Sequence, residues 1–348
     1  MNIALLIEGE EENGSKGFKD TLVSNKHWFK NTKLTVISNT LWIGKDKACL
    51  TYGMRGMITM SVEVYGPEKD LHSGNEGGAL MEPMTDLMKL LSSLLDSSNR
   101  VLIPGFYEGV DVDEVKKRTE MFESLKDSID MDKYAQSLGL DSSSCSFAEL
   151  LSKKWLLPTL SIVEVRTRTS TEKADSHYSF GPTKFSVIPH RVVGQISIRF
   201  VAKQNPHNIV KAVKQHIESE FQKLRSSNKV RLSVHNIGDA WEGNTAHNLW
   251  NAASTALCNC WGHSPLFTYE GGTMPVTSTL EKVLDAPALL IPLGQSTDNP
   301  HLANERIRSV NLFKGKSVMR TLIEEVAAAL KPQAGETEDG EDADLLLE

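Results

Sequence analysis

Near the start of the chain, Glu8, Gly9, Glu10, Glu11, Glu12, Asn13, Gly14 and Ser15 set four carboxylates on a turn directly behind the apolar run 2–7. Adjacent carboxylates on a turn diverge, so one can bind a divalent metal while its neighbour accepts a proton from water. The same segment also reads as a solvated acidic loop leading into a helix, where the helix dipole favours Glu. Four more segments carry side chains suited to polar chemistry: Asp70-Leu71-His72-Ser73-Gly74, Ser197-Ile198-Arg199, Glu270-Gly271-Gly272-Thr273-Met274-Pro275 and His301-Leu302-Ala303-Asn304-Glu305. Arg199 ends an alternating strand, where a planar guanidinium either grips a carboxylate through paired N–H bonds or lies on the surface. Gly271 and Gly272 either admit a substrate close to the backbone or make an ordinary tight turn. His301 reads as a metal ligand or as a structural loop histidine.

Rigid elements must position these groups. The run 2–7 lacks polar alternation and predicts a strand buried on both faces of a sheet, with the acidic turn beyond its carboxyl end, where ligands gather in α/β sheets. A buried strand needs neighbours on both edges, so the sequence is expected to be N-terminally truncated. Runs 33–37 and 288–291 repeat the pattern, while 248–261 places Leu249, Ala253, Leu257 and Cys260 at helical spacing before Gly262. Between them, 58–65, 192–201 and 230–235 alternate as strands of a sheet with one exposed face. Two helical stripes accompany these strands: Leu80, Met84, Leu87, Met88 and Leu91, then Ile209, Val213, Ile217, Phe221 and Leu224 behind Asn205-Pro206. Region 110–154 is more polar, with short helices expected around 115–125 and 147–153. The expected architecture is a split α/β domain, 1–55 and 236–330, around an inserted α+β domain, 56–235, followed by a disordered acidic tail, 331–348.

The 348 residues are 40% hydrophobic and 24% charged, ordinary globular composition with length for two cores. Seven acidic residues lie beyond Pro332 without any Lys or Arg; the remaining body balances 38 basic against 38 acidic residues. A balanced body gives no general electrostatic reason to bind nucleic acid or an anionic membrane, which points to small molecules or proteins as partners. Cys49, Cys145, Cys258 and Cys260 are too few and too scattered for a disulfide framework and read as reduced, mostly buried thiols. Glu8 interrupts the first apolar run and no basic segment precedes it, so neither a signal peptide nor a membrane span is expected, and the default location is cytoplasmic.

Taken together with Tyr52-Gly53-Met54-Arg55-Gly56, these motifs resemble the two-zinc metallopeptidase family of carnosine dipeptidase, cytosolic nonspecific dipeptidase and glutamate carboxypeptidase. The resemblance runs in order from residue 2 to about residue 330. Within the family, Gly294-Gln295-Ser296-Thr297-Asp298 before His301 looks most like the peptidase-like subunit of the fungal glutathione-degrading DUG complex. The resemblance implies a zinc-dependent hydrolase of dipeptides or γ-glutamyl peptides, with an inserted lid and dimerisation domain. It assigns Glu11 as general base, Glu12 and His301 as zinc ligands, and His72 as the histidine that reaches a partner subunit's site in a homodimer to stabilise the oxyanion. Arg199 would hold the substrate carboxylate beside Gly271, Gly272 and Thr273, the last standing where relatives commonly have Ser. Asn39 replaces an aspartate ligand and offers only a neutral carbonyl, which should weaken metal binding. The family's first metal-binding histidine and bridging aspartate have no counterpart in this sequence. The alternative implied by those departures is a non-catalytic scaffold for a glutamine-amidotransferase-like partner.

Overall fold

The computed structural model describes residues 2–9, 11, 14–129, 134–135, 138–139, 146–167 and 185–330. In chain order they form α1 (Phe18–Ser24), β1 (Thr35–Ile37), β2 (Leu41–Trp42), β3 (Cys49–Met54), β4 (Gly56–Tyr65), β5 (Leu71–His72), α2 (Ser73–Glu76), α3 (Pro83–Ser92) and α4 (Val112–Phe122). There follow α5 (Phe147–Trp155), β6 (Thr159–Thr167), β7 (Val187–Ile188), β8 (Arg191–Phe200), α6 (Pro206–Leu224), β9 (Lys229–Gly238) and β10 (Trp241–Glu242). The last elements are α7 (Asn248–Trp261), β11 (Leu266–Glu270), α8 (Pro275–Leu284), β12 (Ala288–Leu290), β13 (Gly294–Gln295) and α9 (Ser309–Ala329). The chain divides into two units, the first Met1–Tyr52, Gly243–Thr268 and Leu284–Glu348, the second Gly53–Glu242 and Tyr269–Val283.

In the first unit β1 and β12 run parallel, Thr35 opposite Ala288 and Ile37 opposite Leu290, and β12 meets β3 antiparallel at Leu290 and Thr51. A second parallel pair, β2 with β13, continues past the ends of β1 and β12. All three residues of β12 are buried, as an uninterrupted apolar run requires. Helix α7 stops at Gly262, which adopts φ 81° and returns its N–H to the Cys258 carbonyl; α7 then packs on α9. Trp42 fills the interior and donates its indole N–H to the Pro292 carbonyl at 2.8 Å.

The second unit holds a four-stranded antiparallel sheet in the order β6-β8-β4-β9. Strand β8 alternates strictly between half-buried and buried positions, so Val192, Ile196, Ile198 and Phe200 share the covered face with Ile58, Met60, Val62 and Val64 of β4. Helices α3 and α6 cover that face with Leu87, Leu90 and Leu91, and with Ile209, Val213 and Ile217. Pro206 opens α6 behind the Asn205 side chain, which accepts the His207 and Asn208 N–H groups. Ser146 and Glu149 form a reciprocal capping box at the start of α5.

Three expectations need correction. Residues 2–7 form no strand: Leu5 is 84% and Ile7 89% exposed, and no strand among the described residues pairs with them, so the two-face burial their pattern demands has no partner. The buried face of α3 is rotated from the predicted stripe. Met88 faces solvent at 42% exposure while Leu90 and Asp86 are buried, because Asn228 and Ser226 give the Asp86 carboxylate hydrogen bonds from a distant segment. Of the cysteines, Cys49 is buried, whereas Cys258 and Cys260 are only half-buried. All three are free thiols, and burial pushes Cys49 up to about 12 against the opposing pull of the Ile43 N–H. Cys145 and the acidic tail lie outside the described residues. Among the described residues no helix is long and apolar enough to cross a membrane.

Candidate functional site

Arg55 is the single residue between β3 and β4, and it is only 8% exposed. A buried guanidinium must place its donors. Here Nε donates to the Gly271 carbonyl at 3.1 Å, and Nη1 donates to the Leu157 carbonyl at 3.0 Å and the Thr159 hydroxyl at 3.4 Å. The Arg55 backbone donates its N–H to Glu270 and accepts the Thr273 hydroxyl proton at 2.7 Å. With its one proton committed, the Thr273 oxygen accepts Nη1 of Arg199 at 2.6 Å. A chain of hydrogen bonds therefore runs from Arg199 through Thr273 to the Arg55 backbone.

Arg199 stands near the end of β8, opposite Met57 on one side and Thr159 on the other. It is half-buried and forms no ion pair among the described residues, so donors beyond Nη1 remain for a ligand. Burial lowers its pKa while Glu270 opposes that shift. Arg55 is pushed down to about 10 by burial and by the neighbouring Arg199 charge, against Glu270 and Tyr269; it stays cationic at neutral pH. Two guanidinium groups and one carboxylate leave this cluster with a single excess positive charge, which suits a monoanion. Glu270 meanwhile accepts the Gly272 N–H at 2.9 Å, holding the turn closed. A Cβ at Gly271 would lie 2.8 Å from the Lys154 carbonyl oxygen, so the turn reaches its position only as glycine.

His72 ends β5 and is exposed; its ring Nδ1 accepts the Gly74 N–H at 3.1 Å and caps α2. In the first unit, Asn39 lies two residues beyond β1, exposed, with its Oδ1 accepting the N–H of Thr40 at 2.6 Å. His301 is exposed on a turn with φ 63°, in the loop that follows β13. Because β1 and β12 are parallel neighbours, the segments bearing Asn39 and His301 leave the same end of that pair. Glu11 is half-buried on a turn closed by the Gly14 N–H to its carbonyl at 2.9 Å, and Glu12 lies outside the described residues.

The sequence motifs thus bring Arg199, Gly271, Gly272 and Thr273 together within the second unit. Arg55 and Glu270, which complete that cluster, gain a role only from the structure. The usable signal for Arg55 is a lone cation between the apolar runs of β3 and β4, a place where charge persists only with built partners.

Residues 52–225 match the family profile described as the peptidase dimerisation domain. The chain is 33% identical to the Cys-Gly metallodipeptidase dug1 of Schizosaccharomyces pombe, over 94% of this chain and 67% of the relative. The chain belongs to the M20 metallopeptidase family. Within that family it is also 37% identical to the Cys-Gly metallodipeptidase DUG1 of Candida albicans, over 90% of this chain and 63% of the relative. The crystal structure of human carnosine dipeptidase 1 matches with a TM-score of 0.78 at 33% identity, covering 92% of this chain and 65% of that one. The chain spans about two thirds of the length of these M20 relatives. The family implies a divalent metal, whose centre needs about four converging donors. Among the described residues no group of three or more His, Cys, Asp or Glu is gathered to hold an ion, and Asn39 offers only a neutral oxygen that also accepts the Thr40 N–H. The described donors do not make a metal centre.

Proposed function

We propose that this chain recognises small peptides by their C-terminal carboxylate, as the substrate-holding part of a metallodipeptidase acting on Cys-Gly or γ-glutamyl peptides in glutathione catabolism. The observation that carries the reading is Arg199, a half-buried guanidinium oriented by Thr273 and without an ion pair among the described residues. Desolvated guanidinium groups that keep free donors bind carboxylates in paired geometry. On this reading Gly271 and Gly272 line the substrate backbone, His72 donates to the reacting carbonyl across a homodimer, and Glu11 is the proton acceptor. Glu12, Asn39 and His301 are the positions this reading directs toward a metal, zinc by the family resemblance, though by themselves they do not complete its donor set.

Calorimetric titration tests the carboxylate assignment. Cys-Gly should bind, its C-terminal amide should bind at least about tenfold more weakly, and Arg199→Met should erase the difference between them, a loss of about 1.5–3 kcal/mol for a charge-assisted hydrogen-bonded contact. Equal binding of the acid and the amide by the unaltered protein refutes it. Asn39 favours a second reading, a non-catalytic scaffold, because it offers a metal only a neutral oxygen. Peptide binding without glycine release in the presence of zinc supports the scaffold; release supports the peptidase.

A further inference from the structure

The strand that carries His72 is two residues long, and isolated pairs of that length hold little position by themselves. It pairs with β7 through Leu71 opposite Ile188 and His72 opposite Val187, and the Ser73 N–H donates to the Ser186 carbonyl at 2.8 Å. What fastens the base of this pair is Asp70. Its Oδ1 accepts the His190 backbone N–H at 3.0 Å and meets the His190 ring Nδ1 at 2.7 Å. Burial raises the Asp70 carboxyl, but the two His190 hydrogen bonds and the imidazole charge outweigh it and hold the acid below the usual range. An ionised carboxylate only accepts, so the bridging proton sits on Nδ1 of His190. The His190 carbonyl in turn accepts the Gly66 N–H at 3.1 Å, beyond the end of β4.

The ring of His72 has the opposite arrangement. Its Nδ1 accepts the Gly74 N–H, so the neutral imidazole carries its proton on Nε2, at the exposed end of the ring. A Cβ at position 74 would stand 3.0 Å from Cε1 and 3.2 Å from Nδ1 of that ring, so a side chain there would push the imidazole back by a few tenths of an ångström.

We propose that Asp70 and His190 are positioning residues that hold His72 as a single tautomer, an Nε2–H donor aimed away from its own turn. Asp70 fixes the strand, the strand fixes the His72 backbone, and the Gly74 N–H then selects the tautomer. A carbonyl developing negative charge needs such a donor, already protonated and already oriented. The inference rests on the reading of His72 as a donor to substrate, but its test needs no substrate.

Histidine labelled with 15N in the full chain, recorded at about pH 8.5, above the ordinary imidazole range, reports which ring nitrogen of each residue holds the proton. His72→Gln and His190→Gln identify the two sets of signals. The expected pattern is protonated Nε2 for His72 and protonated Nδ1 for His190. Asp70→Ala should abolish the single-tautomer pattern at His72, although the substituted residue does not touch that ring. Asp70→Asn, whose Oδ1 still accepts from His190, should preserve it and also covers the case in which the alanine variant fails to fold. A His72 proton on Nδ1 in the unaltered protein overturns the proposal. So does an unchanged His72 pattern in Asp70→Ala when His190 has shifted, or a loss in Asp70→Asn as complete as in Asp70→Ala. Failure of Cys-Gly to bind, with these patterns intact, overturns the carboxylate reading and leaves the tautomer assignment standing.

Discussion

Arg199 in the second unit and His301 in the first are both side chains whose chemistry depends on placement, yet they are held in different ways. Arg199 extends from a strand bonded on both edges, and its guanidinium meets a threonine whose own hydroxyl is committed to the Arg55 backbone. His301 stands exposed on a loop where Asn299, His301 and Asn304 all adopt left-handed φ. Asn39 is exposed too, next to Thr40 at φ 68°. Ladders and buried donors fix a group more firmly than an exposed turn does. The Arg199 guanidinium is thus held by buried structure, whereas Asn39 and His301 stand on exposed turns.

The largest effect expected from that contrast is at Arg55. Replacing it by Met strips the Gly271 and Leu157 carbonyls of a charged donor inside the protein and should cost about 3 kcal/mol in urea unfolding. A cost under about 1 kcal/mol would mean that the cluster is not preorganised by its buried arginine. Gly271→Ala comes next. Its new methyl meets a backbone carbonyl, which cannot swing aside like a side chain, so about 1–3 kcal/mol should be lost along with Cys-Gly affinity. Stability and affinity that both stay unchanged would put the turn outside the site. The smallest structural effect belongs to Asn39→Asp, an exposed change that should move stability by less than about 0.5 kcal/mol. It should nevertheless strengthen zinc binding, measured by calorimetric titration, because it restores an anionic oxygen. Zinc binding that does not rise would separate Asn39 from the metal-directed positions and sharpen the difference between the units.

What the sequence discloses of this fold depends on how local the cause is. Helix α7 is legible because its spacing and the terminating Gly262 are both written into one short segment, and β8 because its alternation is unbroken. Strand β6 escapes the same reading since a bulge between Ile162 and Glu164 breaks its period. The buried face of α3 is not legible locally, because the residues that hydrogen-bond Asp86 Oδ2 lie 140 or more positions away in sequence. Residues 2–7 carry the pattern of an interior strand, but a pattern states a demand for burial and does not supply the neighbour. The site divides along the same line. Arg199, Thr273 and the glycines stand out by type and motif, while Arg55 takes its meaning from carbonyls at Leu157 and Gly271 that no local window contains.

The exposed run at residues 2–7 also bears on how one copy of this chain meets another. Ile3, Leu5, Leu6 and Ile7 present branched aliphatic groups on backbone that no strand among the described residues occupies, a segment primed to add itself to the edge of another sheet. Glu8, Glu10, Glu11 and Glu12 follow immediately and give any two such segments a reason to repel. The carboxylates that chemistry would claim for a site therefore also oppose the pairing of two such apolar stretches.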